Sequence, residues 1–223
     1  MEKIVIGDCT LYHGDCMEVM PLLDKVDAVV TDPPFGMSFV SNFRRLETKH
    51  KAIANDKETG FLEWVCELET DHSKYIFCRW DNLYNVIKPK SAITWVKDNH
   101  SMGDLEHEHA RMSELLLFYP GKNHKWPKQR PTDIIKAKRT GNNLHPTQKP
   151  VDLMMQIVPW TSGTVIDPFM GSGTTGVSCA KLGRKFIGIE IDKEYFDVAV
   201  QRIKDAYTQP DMFINTLTKN NCD

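Results

Sequence analysis

The stretch that decides the fold runs from Thr164 to Asp192 and reads TVIDPFMGSGTTGVSCAKLGRKFIGIEID. An apolar run ends at Asp167, a loop with several glycines follows, a helical pattern opens near Thr174, and a second apolar run ends at Glu190. A strand, a glycine loop, a helix and a strand in this order predict a parallel βαβ unit. In such a unit the ligand binds where the loop meets the carboxyl ends of the strands.

The glycines of this loop indicate a cofactor that carries adenosine. Gly171, Gly173 and Gly176 match G-x-G-x-x-G, and Glu190 follows Gly171 by 19 residues, close to the spacing of dinucleotide-binding sites. Glycines allow the backbone to approach a ligand, and the acid on the next strand can accept hydrogen bonds from both ribose hydroxyls. A glycine turn with only a structural role is the alternative.

The acid at the end of the first strand distinguishes between cofactors. Asp167 and the three residues after it separate the strand from the glycines, whereas a dinucleotide loop begins directly at the strand end. A carboxylate here would repel a pyrophosphate, but it would attract the α-amino group of S-adenosylmethionine. No lysine follows the glycines, so the Walker pattern also fails. These charges favour S-adenosylmethionine over NAD, and an NAD-linked oxidoreductase stays the alternative.

A second unusual loop, TDPPFG, extends from Thr31 to Gly36 and follows a short apolar run. Pro33 and Pro34 have no backbone N–H, and an ionised Asp32 only accepts hydrogen bonds. The loop therefore presents acceptors beside the flat ring of Phe35. A planar group with N–H donors, such as an aromatic amine, fits this arrangement. A plain turn at the end of a strand is the alternative.

Length and composition predict one globular domain. The chain has 223 residues, of which 41% are hydrophobic and 26% are charged. The N-terminus lacks the apolar run of a signal peptide and no stretch has the length of a membrane span, which predicts a cytoplasmic protein. The six cysteines form no C-x-x-C pair, so we expect reduced thiols. The cluster Glu106–His109 lacks the H-E-x-x-H spacing, so we expect no metal site.

The distribution of charge favours DNA as a partner. The net charge is −2, but Gly121–Lys149 carries +7 and the remainder carries −9. A cationic segment on an anionic body is typical of a protein with one face on a polyanion, although a solvated face is the common alternative. A second basic stretch follows the acid-proline loop. The predicted DNA contacts are Arg44, Arg45, Lys122, Lys125, Lys128, Arg130, Lys136, Lys138 and Arg139.

Short apolar runs alternate with helical patterns along the chain, which predicts an α/β fold around a largely parallel sheet. The predicted strands are Thr10–His13, Ala28–Thr31, Tyr75–Cys78, Ala92–Val96, Glu114–Tyr119, Thr164–Asp167 and Phe186–Glu190. The predicted helices are Cys16–Leu23, Gly60–Leu68, Trp80–Ile87, Pro150–Pro159, Thr174–Leu182 and Lys193–Tyr207. Gly36–Glu58 and Gly121–Asn143 show neither pattern, and their charge favours contact with a substrate.

Four motifs in one order resemble a known family. They are Gly14-Asp15, Asp32–Phe35, His145–Pro150 and Asp167–Thr175 with Gly188–Glu190. Together they are similar to the DNA amino-methyltransferases of the β arrangement, which act on N6 of adenine or N4 of cytosine. In these enzymes the acid-proline catalytic loop precedes the cofactor loop.

The resemblance implies a fold and a domain organisation. The fold would be the Rossmann-like fold of S-adenosylmethionine-dependent methyltransferases, circularly permuted so that the catalytic half comes first, around a mostly parallel sheet of seven strands. Residues 1–223 would form a single methyltransferase domain. Residues 36–58 would be a mobile substrate loop, and residues 121–149 a short basic segment for target recognition.

The resemblance also implies a set of cofactor contacts. Asp167 and Lys149 would bind the amino and carboxylate ends of the methionine part, Glu190 would bind the ribose, and Asp15 would lie by the adenine ring. A helix cap is the structural alternative for Asp15, and a surface cation is the alternative for Lys149. The other implied contacts are Cys16, Asp32, Thr147, Phe169, Gly171, Ser172, Gly173, Thr174 and Ile191.

The catalytic set implied by the resemblance is Asp32, Pro33, Pro34 and Phe35. Asp32 and the Pro33 carbonyl would accept the two hydrogens of a base amine, which frees the nitrogen lone pair for attack on the methyl group. Phe35 would stack on a base flipped out of the duplex. An aspartate at the first position favours adenine N6, and serine is more usual for cytosine N4. The commonest aromatic residue of the family here is tyrosine, so Phe35 lacks a hydroxyl contact.

Several alternatives to adenine methylation of DNA stay open. They are methylation of cytosine N4, amino-methylation of RNA, and DNA binding without catalysis. Besides DNA, the resemblance implies two further partners, a second copy of the chain and a restriction endonuclease in a restriction-modification pair. The expected setting is the cytoplasm of a bacterial or phage-infected cell.

Overall fold

The computed structural model describes residues 1–34, 60–101, 111–127, 130–140 and 148–208. The strands in that part are β1 Glu2–Ile6, β2 Cys9–His13, β3 Ala28–Thr31, β4 Ser73–Cys78, β5 Ser91–Ser101, β6 Arg111–Pro120, β7 Ile134–Lys136, β8 Val165–Asp167 and β9 Phe186–Glu190. The α-helices are α1 Cys16–Val19, α2 Gly60–Glu67, α3 Val151–Ile157, α4 Thr174–Lys181 and α5 Lys193–Thr208. Short 3-10 turns occupy Met20–Leu22, Trp80–Asn85 and Val158–Trp160.

All these strands form one sheet in the order β1-β2-β9-β8-β3-β4-β6-β5-β7. Neighbours pair in parallel from β2 through β9, β8 and β3 to β4, and again between β5 and β7. β6 runs antiparallel between β4 and β5, and β1 runs antiparallel to β2. The predicted α/β class with a mostly parallel sheet is confirmed.

The predicted count of seven strands is corrected to nine within the described residues. The two additional strands, β1 and β7, lie at the two edges of the sheet. β1 turns back onto β2 through Gly7, which has a φ of 53°, and its side chains are mostly exposed. β7 has three residues and only Ile135 is buried. Edge strands that are this short or this exposed lack the apolar run by which buried strands are recognised.

Helices cover both faces of the sheet. Side chains of α3, α4 and α5 pack on one face in a cluster that includes Leu153, Val177 and Phe196. Side chains of α1 and α2 pack on the other face, with Val19 and Val65 among them. Because both faces are covered, the central strand β3 is buried at all four positions and reads as a continuous apolar run.

Three predicted helices are shorter in the structure than in the sequence pattern. The helix expected at Cys16–Leu23 ends at Val19 and continues as a 3-10 turn to Leu22. The helix expected at Trp80–Ile87 is a 3-10 turn that ends at Asn85. Trp80 is 65% exposed and Tyr84 is 89% exposed, so this turn does not dock an apolar face on the core. The helix expected at Pro150–Pro159 ends at Ile157 and continues as a 3-10 turn that contains Pro159.

The described helices lack the length and apolar character that crossing a lipid bilayer requires.

The sheet order brings the two unusual loops together. β3 and β8 are parallel neighbours, so the loop after Thr31 and the loop after Asp167 leave the same edge of the sheet. β9 and β2 follow on the other side of β8, and their ends place Glu190 and Asp15 at that edge as well. Open α/β sheets bind ligands at the carboxyl ends of their strands. We call the side of the sheet formed by these carboxyl ends the ligand edge, which is distinct from the edge strands β1 and β7.

Candidate active site

A side-chain hydrogen bond joins the ends of β3 and β8 at the centre of the ligand edge. The Thr31 hydroxyl donates to Oδ1 of Asp167 at 2.7 Å, and both residues are buried. Thr31 directly precedes Asp32, the first residue of the acid-proline loop. The two loops predicted from the sequence are therefore in direct contact.

Asp32 lies beside a buried cation. Nζ of Lys149 donates to Oδ2 of Asp32 at 2.7 Å, and the side chain of Lys149 is only 9% exposed. Oδ1 of Asp32 is buried and has no hydrogen-bond partner among the described residues. Lys149 is therefore not the surface cation of the structural alternative. Its predicted contact with a methionine carboxylate stays a prediction.

Two residues that the sequence analysis did not select complete this group. Glu114 on β6 accepts from Nζ of Lys149 at 2.7 Å through Oε1. Its other oxygen, Oε2, accepts from Nζ of Lys97 on β5 at 2.9 Å. Strand alternation is the sequence signal that could have found Lys97. It lies two residues after the buried Trp95 and therefore on the same face of β5.

Burial dominates the ionisation of Asp32. Burial, together with the nearby carboxylates Glu114 and Asp167, raises the pKa of Asp32 to about 6, against the attraction of Lys149. For Glu114 burial acts in the same direction, but the two lysines outweigh it and lower the pKa. Burial would lower the pKa of Lys149, but Asp32 and Glu114 outweigh it and raise the pKa. Near neutral pH the group holds two cations and two carboxylates in contact.

Asp167 binds mainly to donors of its own chain. Oδ1 accepts from Thr31 and from the backbone N–H of Phe169 at 3.2 Å, and Oδ2 accepts from the hydroxyl of Thr175 at 2.7 Å. Burial raises the pKa of Asp167 to about 6 in spite of these hydrogen bonds. A carboxylate offers about four acceptor positions, so one remains for a donor on a ligand.

Glu190 holds the glycine loop from β9. Oε2 accepts from the backbone N–H of Gly171 at 2.8 Å, and Oε1 accepts from that of Asp192 at 2.8 Å. Burial raises the pKa of Glu190 to about 7, against these two hydrogen bonds. Each oxygen keeps an acceptor position, which fits the predicted binding of two ribose hydroxyls.

The glycines of the motif are predicted to let the backbone approach a ligand, and in the structure two of them also lie close to side chains of α5. Gly173 has a φ of 79°, and a Cβ there would lie 2.8 Å from Cβ of Ala199 on α5. A Cβ on Gly176 would lie 2.5 Å from Cδ1 of Ile203. Packing against α5 therefore leaves no room for a side chain at Gly173 and little room at Gly176, independently of any ligand.

Ser172 and Thr174, two predicted cofactor contacts, are held from α5 by an arginine that the sequence analysis did not select. Nη1 of Arg202 donates to the Ser172 carbonyl, to its hydroxyl at 2.9 Å and to the Thr174 hydroxyl at 3.4 Å. Burial lowers the pKa of Arg202. The sequence pattern places Arg202 on a helix but does not show that this helix reaches the glycine loop.

The remaining predicted cofactor contacts among the described residues lie around the same edge. Oδ1 of Asp15 accepts from the backbone N–H of Met17 at 2.8 Å and caps α1, so the structural alternative for Asp15 is present. Cys16 is buried behind it, and burial raises the pKa of its thiol to about 12. The Phe169 ring packs edge-to-face with that of Phe61 on α2, with 5.3 Å between the ring centres. Ile191 is 41% exposed.

The predicted DNA contacts that the structure describes fall at two opposite ends of the strands. The backbone N–H of Gly121 donates to the carbonyl of His72 near the start of β4, and Lys122 pairs with Glu69. Lys122 and Lys125 therefore lie near the edge opposite the ligand edge. Lys136 ends β7, which runs parallel to β5 towards the ligand edge. Lys136, Lys138 and Arg139 follow one another there, whereas the exposed Arg130 precedes β7.

Several predicted features lie outside the described residues. They are Phe35, Arg44, Arg45, Lys128, Thr147, the substrate loop 36–58, the cluster Glu106–His109, and the His145–Thr147 part of its motif.

One group of possible metal ligands lies away from the ligand edge. Side-chain atoms of Asp27, Asp71 and His72 lie within 4.8 Å of one another. The ammonium of Lys25 already bridges the two carboxylates, at 2.7 Å from Asp27 and 2.9 Å from Asp71. A lysine in this position supplies the positive charge that a metal ion would bring, so we assign no metal site to the group.

Comparison with known proteins identifies the family. The model of a family described as DNA methylase, the N6/N4 class, matches residues 26–201. The chain belongs to the DNA methylase family. The match covers the acid-proline loop, Lys149, the glycine loop and Glu190. It confirms the predicted family and, with it, methyl transfer to DNA from S-adenosylmethionine.

Individual relatives agree over most of the chain. The type II methyltransferase M2.LlaDCHI of Lactococcus lactis subsp. cremoris is 35% identical, and the alignment covers 89% of this chain and 90% of the relative. The DNA adenine methyltransferase YhdJ of Escherichia coli strain K12 is 27% identical, with 88% and 83% covered. The crystal structure of the M1.HpyAVI–SAM complex superposes with a TM-score of 0.64 at 31% identity and covers 87% of this chain and 99% of that chain. The predicted Rossmann-like methyltransferase fold is confirmed.

Proposed function

We propose that this DNA methylase transfers a methyl group from S-adenosylmethionine to N6 of an adenine that is flipped out of the duplex. The contact between the two loops carries the proposal. Thr31 binds Asp167, and the next residue of the chain, Asp32, begins the acid-proline loop. A group held by Asp167 and a base amine held by Asp32 would therefore be neighbours, and alignment of two bound reactants contributes up to about 7–11 kcal/mol to catalysis.

The donor set of the site fits S-adenosylmethionine. Asp167 has one acceptor position left for an ammonium group, Lys149 is a buried cation for a carboxylate, and Glu190 has acceptors for two hydroxyls. Oδ1 of Asp32, which has no hydrogen-bond partner within the described part of the chain, is an acceptor for an amine hydrogen. S-adenosylmethionine supplies an electrophilic methyl group on a positively charged sulfur.

Asp32 and Pro33 act on the amine in this proposal. Oδ2 of Asp32 is held by Lys149, so Oδ1 is the oxygen that accepts one amine hydrogen. The carbonyl of Pro33 accepts the other hydrogen. Hydrogen bonds to both hydrogens favour a tetrahedral nitrogen, whose lone pair is no longer delocalised into the ring. Oδ1 then receives the proton that the nitrogen loses after methylation.

Two observations favour adenine over cytosine. The acid-proline motif begins with aspartate, which in the resembled family is more typical of adenine enzymes than serine is. The relative YhdJ, which aligns with 88% of this chain, is named as a DNA adenine methyltransferase.

Methyl transfer from labelled S-adenosylmethionine to DNA tests the proposal. We expect label in N6-methyladenine after digestion to nucleosides and chromatography, and loss of transfer in Asp32→Ala. Asp197→Ala is the control, since Asp197 lies on α5 with its side chain 58% exposed and should leave transfer unchanged. Label in N4-methylcytosine would refute the choice of base. Unchanged transfer in Asp32→Ala would refute the mechanism.

We further propose that the enzyme works in the cytoplasm of a bacterial or phage-infected cell as half of a restriction-modification pair. The relative M2.LlaDCHI, named as a type II methyltransferase, supports this role. A homodimer and a restriction endonuclease partner stay predictions. Sedimentation of the purified chain with and without DNA tests the first, and co-purification from the source cell tests the second.

A further inference from the structure

Four charged side chains form a chain of alternating charge that ends at the catalytic acid. Nζ of Lys97 contacts Glu114 at 2.9 Å, Glu114 contacts Nζ of Lys149 at 2.7 Å, and Lys149 contacts Asp32 at 2.7 Å. Their side chains are 9%, 16%, 9% and 15% exposed, in that order. Two positive and two negative charges compensate one another in this largely buried group. Removal of any one would leave this buried group with an uncompensated net charge.

One end of this group of four charges lies within the sheet. Lys97 and Glu114 lie on paired strands, β5 and β6. The ammonium of Lys97 lies 4.7 Å from the ring centre of Trp95, and that of Lys149 lies 4.8 Å from the ring centre of Phe77. Such cation–π contacts favour one position for each amine. Lys149 itself precedes α3 and has no strand of its own to hold it.

The hydrogen-bond capacity of Lys149 limits what it does. An ammonium group has three N–H donors, and two are used by Asp32 and Glu114. The third remains for a ligand, such as the carboxylate of the cofactor. Without Glu114, two donors of Lys149 would lack a fixed partner, and the lysine could leave Asp32.

We propose that Glu114 and Lys97 are positioning residues for methyl transfer, which hold Lys149 against Oδ2 of Asp32 so that Oδ1 is directed at the base amine. The inference rests on the proposed function, because it assigns the roles of Asp32 and Lys149 from it. Neither Glu114 nor Lys97 touches the reacting atoms in this scheme. Both act through Lys149.

The charge of Glu114 also provides a readout that a structural role would not affect. The charged groups that face Asp32 are Lys149, Glu114 and Asp167, and Glu114 is one of those that raise the pKa of Asp32. Replacing it with neutral glutamine removes that repulsion. It also releases Lys149, whose attraction for Asp32 exceeds the repulsion from Glu114, so the acidic limb of the pH–rate profile, which reports the ionisation of Asp32, moves to higher pH.

Single-turnover methylation with saturating DNA and S-adenosylmethionine tests the proposal. We expect Glu114→Gln to reduce the rate about 10–100-fold. This is the range known for residues that orient a metal ligand by hydrogen bonding to it, which is a comparable role. The affinity for S-adenosylmethionine should fall by a smaller factor, and the acidic limb should shift to higher pH. Lys97→Met should reduce the rate in the same way, and Lys97→Arg, which keeps the charge, should restore most of it.

Lys74→Met is the matched control for Lys97→Met. Counted over the whole residue, Lys74 is 6% exposed and Lys97 is 7% exposed. The ammonium of Lys74 also lies over a ring, 5.2 Å from the ring centre of Tyr119. Lys74 binds two carbonyls at the end of α2, away from Asp32. At a temperature where both variants are folded, Lys74→Met should methylate DNA at the wild-type rate.

Two outcomes would overturn the inference. One is a rate for Glu114→Gln within twofold of wild type with an unshifted pH profile. The other is equal loss in Lys97→Arg and Lys97→Met. Failure of the proposed function is a separate result, since wild-type transfer to cytosine would reject adenine and leave the comparison of variants intact.

Discussion

At the scale of single residues, the site holds carboxylates whose charges are removed from water. Burial raises the pKa of Asp32 and of Asp167 to about 6 and that of Glu190 to about 7, although each accepts hydrogen bonds that favour the charged form. Acids that are desolvated in this way gain most from a ligand that brings a positive charge or hydrogen-bond donors. The residues that the motifs selected are therefore poorly solvated before the ligand binds.

A substitution at Gly173 separates its packing role from its backbone conformation. We expect Gly173→Ala to lower the free energy of unfolding by about 2–4 kcal/mol, since it adds a contact with Ala199 to the strain of a φ of 79°. Gly183→Ala is the control: its φ is 61° but nothing lies within 4 Å of an added Cβ. It should cost only about 1 kcal/mol. Urea unfolding measures both, and equal losses would contradict the packing role.

Motifs revealed some residues of the site and missed others for a physical reason. Asp32, Asp167 and Glu190 each end a strand in a recognisable loop, so local sequence was sufficient to select them. Glu114 and Arg202 act through contacts between elements distant in the chain. No local pattern records such a contact.

At the scale of elements, the basic segment divides into two parts that the sequence analysis treated as one. Its first part joins the start of β4, and its second part forms β7 and leads to the ligand edge. Charge alone does not distinguish the parts, because both carry exposed lysines. The strand pairing does, since it decides which edge each part reaches.

DNA binding should distinguish the two parts. Lys136 and Lys138 lie at the ligand edge, so their replacement by alanine should weaken DNA binding and reduce the slope of log affinity against log salt by about 2, for two lost phosphate contacts. The control is Lys122→Ala with Lys125→Ala, which removes the same charge at the opposite edge and should leave the slope unchanged. Fluorescence anisotropy over a salt series measures both. The reverse result would assign the DNA surface to the turn after β6.

At the scale of the whole molecule, stability should depend on pH through the site. The folded-state pKa values of Asp32, Asp167 and Glu190 lie above their ordinary values. At a pH between the ordinary pKa and the folded-state pKa, each group therefore binds more protons in the folded state than in the unfolded state. The free energy of unfolding of the cofactor-free protein should therefore fall as pH rises from about 5 to 8. Chemical unfolding at a series of pH values measures this slope.

Asp167→Asn is the test of that cause. At pH 8 it should raise the free energy of unfolding by about 1–3 kcal/mol, because the desolvated charge is removed, and near pH 4 it should have little effect. The same variant should bind S-adenosylmethionine more weakly, since the proposed acceptor for its amino group has lost its charge. An unchanged pH slope in Asp167→Asn would show that other groups cause it.

The sequence by itself determined the class of the fold and the two loops of the site. Buried strands, a glycine loop and an acid-proline turn are local patterns that report burial and backbone conformation directly. Only the tertiary structure decided that Thr31 meets Asp167, that Lys149 binds Asp32 and Glu114, and that the basic segment reaches two edges. These facts depend on the order and direction of strands in the sheet, which arise from pairing between segments far apart in the chain.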